Sequence, residues 1–91
     1  MEKDIEAYLV RKVKERGGMA YKFTSPAHRN IADHVVCLPG QTWFVEVKAP
    51  GGRLTALQTL FGREMERLGQ NYTVLWSKEE VDQWLEHSIT K

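Results

Sequence analysis

Thr42-Trp43-Phe44-Val45-Glu46-Val47-Lys48-Ala49-Pro50-Gly51-Gly52 decides the fold. Aromatic and β-branched residues fill its first half, which reads as a strand over 42–48. Side chains alternate on a strand, so Glu46 and Lys48 share one face. A covered strand face normally carries hydrophobes, and a charge there needs a partner or a metal. Upstream, Asp33 opens Val35-Val36-Cys37-Leu38, which reads as a strand over 33–38 buried on both faces. Pro39-Gly40 is the turn between the two strands, expected as a hairpin. The spacing is Asp-x12-Glu-x-Lys. If Asp33 and Glu46 converge, they can share a divalent cation, and Lys48 beside them can steady an anion.

Outward from this hairpin the pattern changes period. Ile5, Leu9 and Val13 recur every fourth residue with charges between, which predicts an amphipathic helix stopped by Gly17-Gly18. Met19 to Thr24 alternates as a strand, and 25–30 is a polar loop. Past the Ala49–Arg53 loop, Thr55 opens a helix with Leu57, Leu60, Phe61, Met65 and Leu68 on one side, ended by Gly69. Tyr72 to Trp76 is a fourth strand. Ser77 and Glu80 form a capping box for a last helix with an apolar stripe of Val81, Trp84 and Leu85. The order α-β-β-β-α-β-α predicts an α/β domain, a mixed sheet flanked by helices, over residues 1–91.

The 91 residues suffice for one small domain with a modest core. Cys37 is the lone cysteine, which excludes an internal disulfide and a cysteine-based zinc finger and fits a reducing, cytoplasmic setting. No apolar run approaches the roughly 20 residues that cross a bilayer, and the charged start is unlike a signal peptide. Net charge is +1, but from Met19 to Arg63 the balance is 5 − 2 = +3, with acids gathered toward the C-terminal end. A positive middle around two carboxylates suits a polyanion; a solvated mixed surface is the plainer reading. The Gly-Lys-Ser/Thr ending of a P-loop is missing after Gly51-Gly52, so no nucleotide cofactor is expected.

These residues resemble a known family. The element order is similar to the restriction-endonuclease-like core, and Asp33 with Glu46-Val47-Lys48 looks like the PD-(D/E)xK signature. The fuller resemblance is to the VRR-NUC family, the virus-type replication-repair nucleases, in its small stand-alone phage form. It runs through Glu2, Gly17-Gly18, Lys22-Phe23-Thr24-Ser25-Pro26, Glu46-Val47-Lys48-Ala49-Pro50-Gly51-Gly52 and Gln58, nearly the whole chain. One departure stands out: Asn30-Ile31-Ala32-Asp33 lacks the family's glycine and proline before the aspartate, which bears on turn rigidity more than on chemistry.

The resemblance implies a Mg2+- or Mn2+-dependent endonuclease acting on DNA, with branched or Holliday-junction-like substrates and a homodimer expected. It is expected in the cytoplasm, that of the host if phage-encoded. Asp33, Glu46 and the Val47 carbonyl would hold metal; Lys48 would orient the attacking water or offset charge. Glu2 would complete the acidic cluster or hold a second metal through water, with Glu6 one helical turn on as its competitor; on its own Glu2 equally suits the helix dipole. Gln58 would hydrogen-bond the nucleophile or the lysine, yet Thr55 to Gln58 is itself a capping box. Lys22, His28, Arg29 and Arg53 would meet phosphates, with loop solvation as the plain alternative. Gly62 in mid-helix points to close packing, within the chain or across a dimer. The competing function classes are a non-catalytic nucleic-acid-binding module on a nuclease-like scaffold, and a small interaction protein whose charges are merely surface.

Overall fold

The computed structural model describes residues 1–23 and 32–89. Its elements are α1 (Glu2–Glu15), β1 (Met19–Lys22), β2 (His34–Leu38), β3 (Gln41–Val47), α2 (Ala56–Arg67), β4 (Asn71–Leu75) and α3 (Lys78–Ile89). This is the predicted α-β-β-β-α-β-α order. The strands form one mixed sheet in the order β1-β2-β3-β4, antiparallel except for the parallel β3–β4 pair. A parallel pair needs a crossover, and α2 supplies it.

Each helix ends as its sequence dictates. At the end of α1, Gly17 takes φ +84°, and its N–H and that of Gly18 donate to the carbonyls of Lys14 and Val13, a Schellman arrangement. Gly69, at φ +74°, closes α2 in the same way, with Gln70 N–H donating to Met65 O. In α2 the box is reciprocal: Gln58 N–H donates to Thr55 Oγ1 at 3.1 Å and Thr55 N–H donates to Gln58 Oε1 at 2.9 Å. Ser77 Oγ accepts from Glu80 N–H at 3.1 Å and so caps α3.

The core lies on one face of the sheet. Ile5, Leu9 and Val13 of α1 and Val81, Trp84 and Leu85 of α3 cover Val36, Leu38, Val45, Val47 and Leu75. Trp43 meets Trp84 edge-on at 5.6 Å, which makes both packing residues. Tyr8 Oη donates to the Asp82 carboxylate at 2.8 Å and ties α1 to α3. Twelve-residue α2 covers only part of the other face, where Phe61 packs edge-on against Phe44 and Tyr72.

Two expectations are corrected here. The run Val35 to Leu38 is buried on one face alone: Val36 and Leu38 are buried, Val35 is half-buried and Cys37 is exposed. The reason is that α2 lies toward β3 and β4, so that among the described residues no helix covers the second face of β1 and β2. The packing side of α2 is also rotated from the predicted stripe. Gln58, Phe61, Gly62 and Met65 face the sheet, at the i, i+3, i+4, i+7 spacing, while Leu57, Leu60 and Leu68 are exposed.

Gly62 is explained within the chain. A Cβ there would lie 2.6 Å from Tyr72 Cε2 and 2.9 Å from Cζ, so the glycine lets the Tyr72 ring lie against the helix. Gly62→Ala gains helix propensity of about 1 kcal/mol but overpacks an aromatic ring. The expected net result is a loss of about 1–2 kcal/mol, read by urea denaturation; unchanged or increased stability would show that the ring has room to move.

Candidate active site

The site forms at the end of the sheet where β2 and β3 part. In the ladder His34 pairs with Val45, and one step further would set Asp33 against Glu46. Like charges in opposed positions repel. Regular β2 instead starts at His34, one residue after the predicted opening, and the Asp33 side chain takes over from its backbone. Asp33 Oδ2 accepts from Val47 N–H at 3.2 Å, a donor that a neighbouring strand would otherwise satisfy. The Asp33 carbonyl accepts from Phe23 N–H at 2.7 Å and so holds the end of β1. The carboxylate is thereby fixed beside Glu46.

Glu46 lies on the face turned toward α2, since Val45 and Val47 on either side point into the core. It is only 1% exposed. Its Oε2 accepts from Gln58 Nε2 at 3.2 Å and lies 3.9 Å from Lys48 Nζ. Burial, and then the negative charge of Asp33, push the Glu46 carboxyl up to about 8, while Lys48 pulls the other way. A pair of carboxyls in which one is held protonated near neutrality is short of positive charge, and that is the chemistry a divalent cation satisfies. The donor set fits such an ion.

Gln58 makes the predicted capping box, and its amide nitrogen meets the Glu46 carboxyl where the nucleophile or the lysine was expected. Its Oε1 is committed to the cap of α2 and its Nε2 to Glu46. The cap thus fixes the amide in the orientation that presents a donor to the carboxyl. Lys48 follows β3, and its N–H donates to Leu75 O at 3.0 Å, so β4 anchors its backbone. Its side chain is largely buried.

On the α1 side, Glu6 is the helix carboxylate that reaches the site. Ligand atoms of Glu6, Asp33 and His34 lie within 4.8 Å of one another. Glu2 is exposed in the first turn. The Ile5-Leu9-Val13 stripe sets which side of α1 meets the sheet, and Glu6 flanks that stripe over the strand ends. Lys22 Nζ sits 3.3 Å from Glu6 Oε2, so this expected phosphate contact is engaged by a carboxylate. Arg53 is exposed in the loop after β3. That loop is a tight turn: Gly52 N–H donates to Ala49 O at 2.9 Å, with Pro50 next and Gly51 at φ +87°, the hallmarks of a type II turn. His28 and Arg29 lie outside the described residues.

Two neighbours were not among the predicted site residues. Tyr72 on β4 has its phenol pushed up to about 12, by burial first and then by Glu46 and Asp33, so it borders the carboxyl pair. His34 is buried beside Glu6, and burial holds its imidazole below the usual value. The signal for His34 was its position directly after Asp33 in an otherwise apolar strand.

No family model matches the chain. A protein described as "Putative nuclease p44", from Acyrthosiphon pisum secondary endosymbiont phage 1, is 43% identical over 79 residues, covering 86% of this chain and 85% of that one. A solved structure described as "VRR_NUC domain" superposes with a TM-score of 0.88 at 28% identity, over 94% of this chain and 95% of that chain. With its fold shared with the solved domain and its sequence with the phage protein, each over most of its length, the chain belongs to the VRR-NUC family.

Proposed function

We propose that this protein is a metal-dependent endonuclease that hydrolyses phosphodiester bonds in branched DNA, working as a homodimer. The observation that carries the reading is the Asp33–Glu46 pair at the parted end of β2 and β3, with Lys48 and Gln58 on the same carboxyl. A Mg2+ ion, or Mn2+ in its place, would be held by Asp33, Glu46 and the Val47 carbonyl and would supply Lewis-acid polarisation of the phosphoryl oxygen and a more acidic water.

The chain's own groups do the rest. Asp33 is held by Val47 N–H and Glu46 by Gln58, so neither carboxyl must be ordered when substrate arrives. Lys48, largely shielded from solvent, places positive charge where the attacked phosphate gathers negative charge. Glu6 takes the role that Glu2 was expected to fill, because Glu6 is the residue beside Asp33. Arg53, together with Lys22, His28 and Arg29, would meet the phosphate backbone.

The dimer reading is supported by apolar surface that α2 leaves uncovered. Met19, Tyr21 and Phe23 of the edge-strand segment and Leu57, Leu60 and Leu68 of α2 are exposed. A symmetric pair would bury such surface and set two sites on two strands. A phage-type enzyme of this kind would act in the host cytoplasm. Among the described residues no helix is long and apolar enough to cross a membrane.

The test is a cleavage assay on duplex, flap and four-way-junction DNA, with light scattering on the same sample. Cleavage of a branched substrate is expected with Mg2+ and none with excess chelator, from a particle of twice the chain mass. Activity that persists in chelator would overturn metal dependence. A monomeric particle that still cuts would overturn the paired-incision reading.

A further inference from the structure

His34 follows Asp33 but points to the opposite face of β2, toward α1. It is 2% exposed. Among the described residues its imidazole makes no hydrogen bond: Nδ1 has no partner, and Nε2 stands 4.0 Å from Glu6 Oε2. The nitrogen turned toward the Glu6 carboxylate is thus Nε2, with no hydrogen bond of its own. Ligand atoms of His34, Glu6 and Asp33 all fall within 4.8 Å of one another. A cation ligated octahedrally at about 2.1 Å sets its ligand atoms roughly 3 Å apart when adjacent and roughly 4.2 Å when opposed. Closing the group around an ion therefore needs only small side-chain adjustments. A positive charge is already drawn to it, since Lys22 Nζ lies 3.3 Å from Glu6 on a side chain that is mostly in solvent.

We propose that Glu6, Asp33 and His34 form a second metal site, one with a nitrogen ligand, that takes a first-row transition-metal ion in preference to Mg2+. The site deepens the nuclease reading, because it shares Asp33 with the pair that includes Glu46. The preference follows from the donors. Magnesium favours an all-oxygen shell and gives up its water reluctantly, whereas Mn2+, Co2+ and Zn2+ accept imidazole nitrogen readily. Lys22 competes with the ion for Glu6, so the site is weaker with Lys22 present than without it.

The probe is Mn2+ added to the whole protein, followed by electron paramagnetic resonance. Free Mn2+ reports affinity, and pulsed measurements report whether a nitrogen is directly bound. The wild type should show nitrogen coupling. His34→Leu should lose that coupling and about tenfold in Mn2+ affinity, while Mg2+ affinity by calorimetry changes less than about twofold, as oxygen ligands alone serve that ion. Glu6→Gln should also weaken Mn2+ binding, and Lys22→Met should tighten it several-fold. Absence of nitrogen coupling in the wild type, or its persistence in folded His34→Leu, would overturn the proposal. If circular dichroism shows His34→Leu unfolded, Glu6→Gln and Lys22→Met decide, and equal Mn2+ affinity in both and in the wild type refutes it. Failure here is separable from failure of the nuclease reading: cleavage without nitrogen coupling removes this site alone, and nitrogen coupling without cleavage removes the nuclease reading alone.

Discussion

Lys48→Ala protein is expected to fold and bind DNA, yet to cleave at least about a hundredfold more slowly than the wild type in single-turnover assays. Two effects act in the same direction. The lysine supplies positive charge to the reacting phosphate from a site largely shielded from water, where charge acts more strongly. It also lowers the cost of ionising Glu46, 3.9 Å away, so its removal makes that carboxyl harder to ionise and metal harder to bind. Raising Mg2+ should therefore recover part of the lost rate but not all of it. Full recovery at high Mg2+ would mean that Lys48 acts only through Glu46. An unchanged rate at all Mg2+ concentrations would remove Lys48 from the site. Glu46→Ala should lose at least as much, with no recovery, because the ligand itself is gone; Glu46→Ala that cuts normally would sink the assignment of the whole site.

Much of the arrangement behind that expectation was legible in the chain. The alternation Val45-Glu46-Val47-Lys48 set which face carries the chemistry, and Pro39-Gly40 set the hairpin that aligns Asp33 with Glu46. The capping box of Thr55 and Gln58 was legible as well, because it depends on residues three apart. Contacts between distant elements were less so. The period of α1 places Glu2 and Glu6 on one side, but which turn reaches the sheet depends on where Gly17-Gly18 ends the helix against β1. The rotation of α2 was hidden for a different reason. Its leucines outweigh Gln58 and Gly62 on any hydrophobic scale, while the sheet below it offers a carboxyl and a tyrosine ring that select those two. The twofold burial expected of Val35 to Leu38 failed likewise, because a strand's composition does not state how far the helix above it extends.

The hidden contact with the largest consequence is the proton on Glu46. Metal-free protein is expected to lose stability as pH rises from about 6.5 to 8.5, by about 1–2 kcal/mol. In the unfolded chain this carboxyl ionises near 4.5, and in the folded chain it ionises near 8 because it is buried beside Asp33. Between those values the folded state holds a proton that the unfolded state has released. Its stabilisation is therefore complete below the lower value and disappears as pH climbs through the upper one. His34 contributes with the opposite sign. Burial lowers its value from 6.5, so it makes the fold more stable as pH rises through 6.5, an effect that has faded by about pH 7.5. Tyr72, pushed from 10 to about 12, acts only at more alkaline pH. The upper half of the window, from about 7.5 to 8.5, thus isolates Glu46 from these two groups. Glu46→Gln keeps an oxygen for Gln58 to donate to but carries no charge, and its stability should be flat between about pH 7.5 and 8.5 and exceed the wild type's at pH 8.5. Saturating Mg2+ should flatten the wild-type slope too, since an ion that binds the ionised pair stabilises the fold more as pH rises. Urea denaturation at four pH values, with and without Mg2+, measures all of this. A slope that survives in Glu46→Gln above about pH 7.5 would show that the proton resides elsewhere and that the carboxyl pair is not the electrostatic centre of the site.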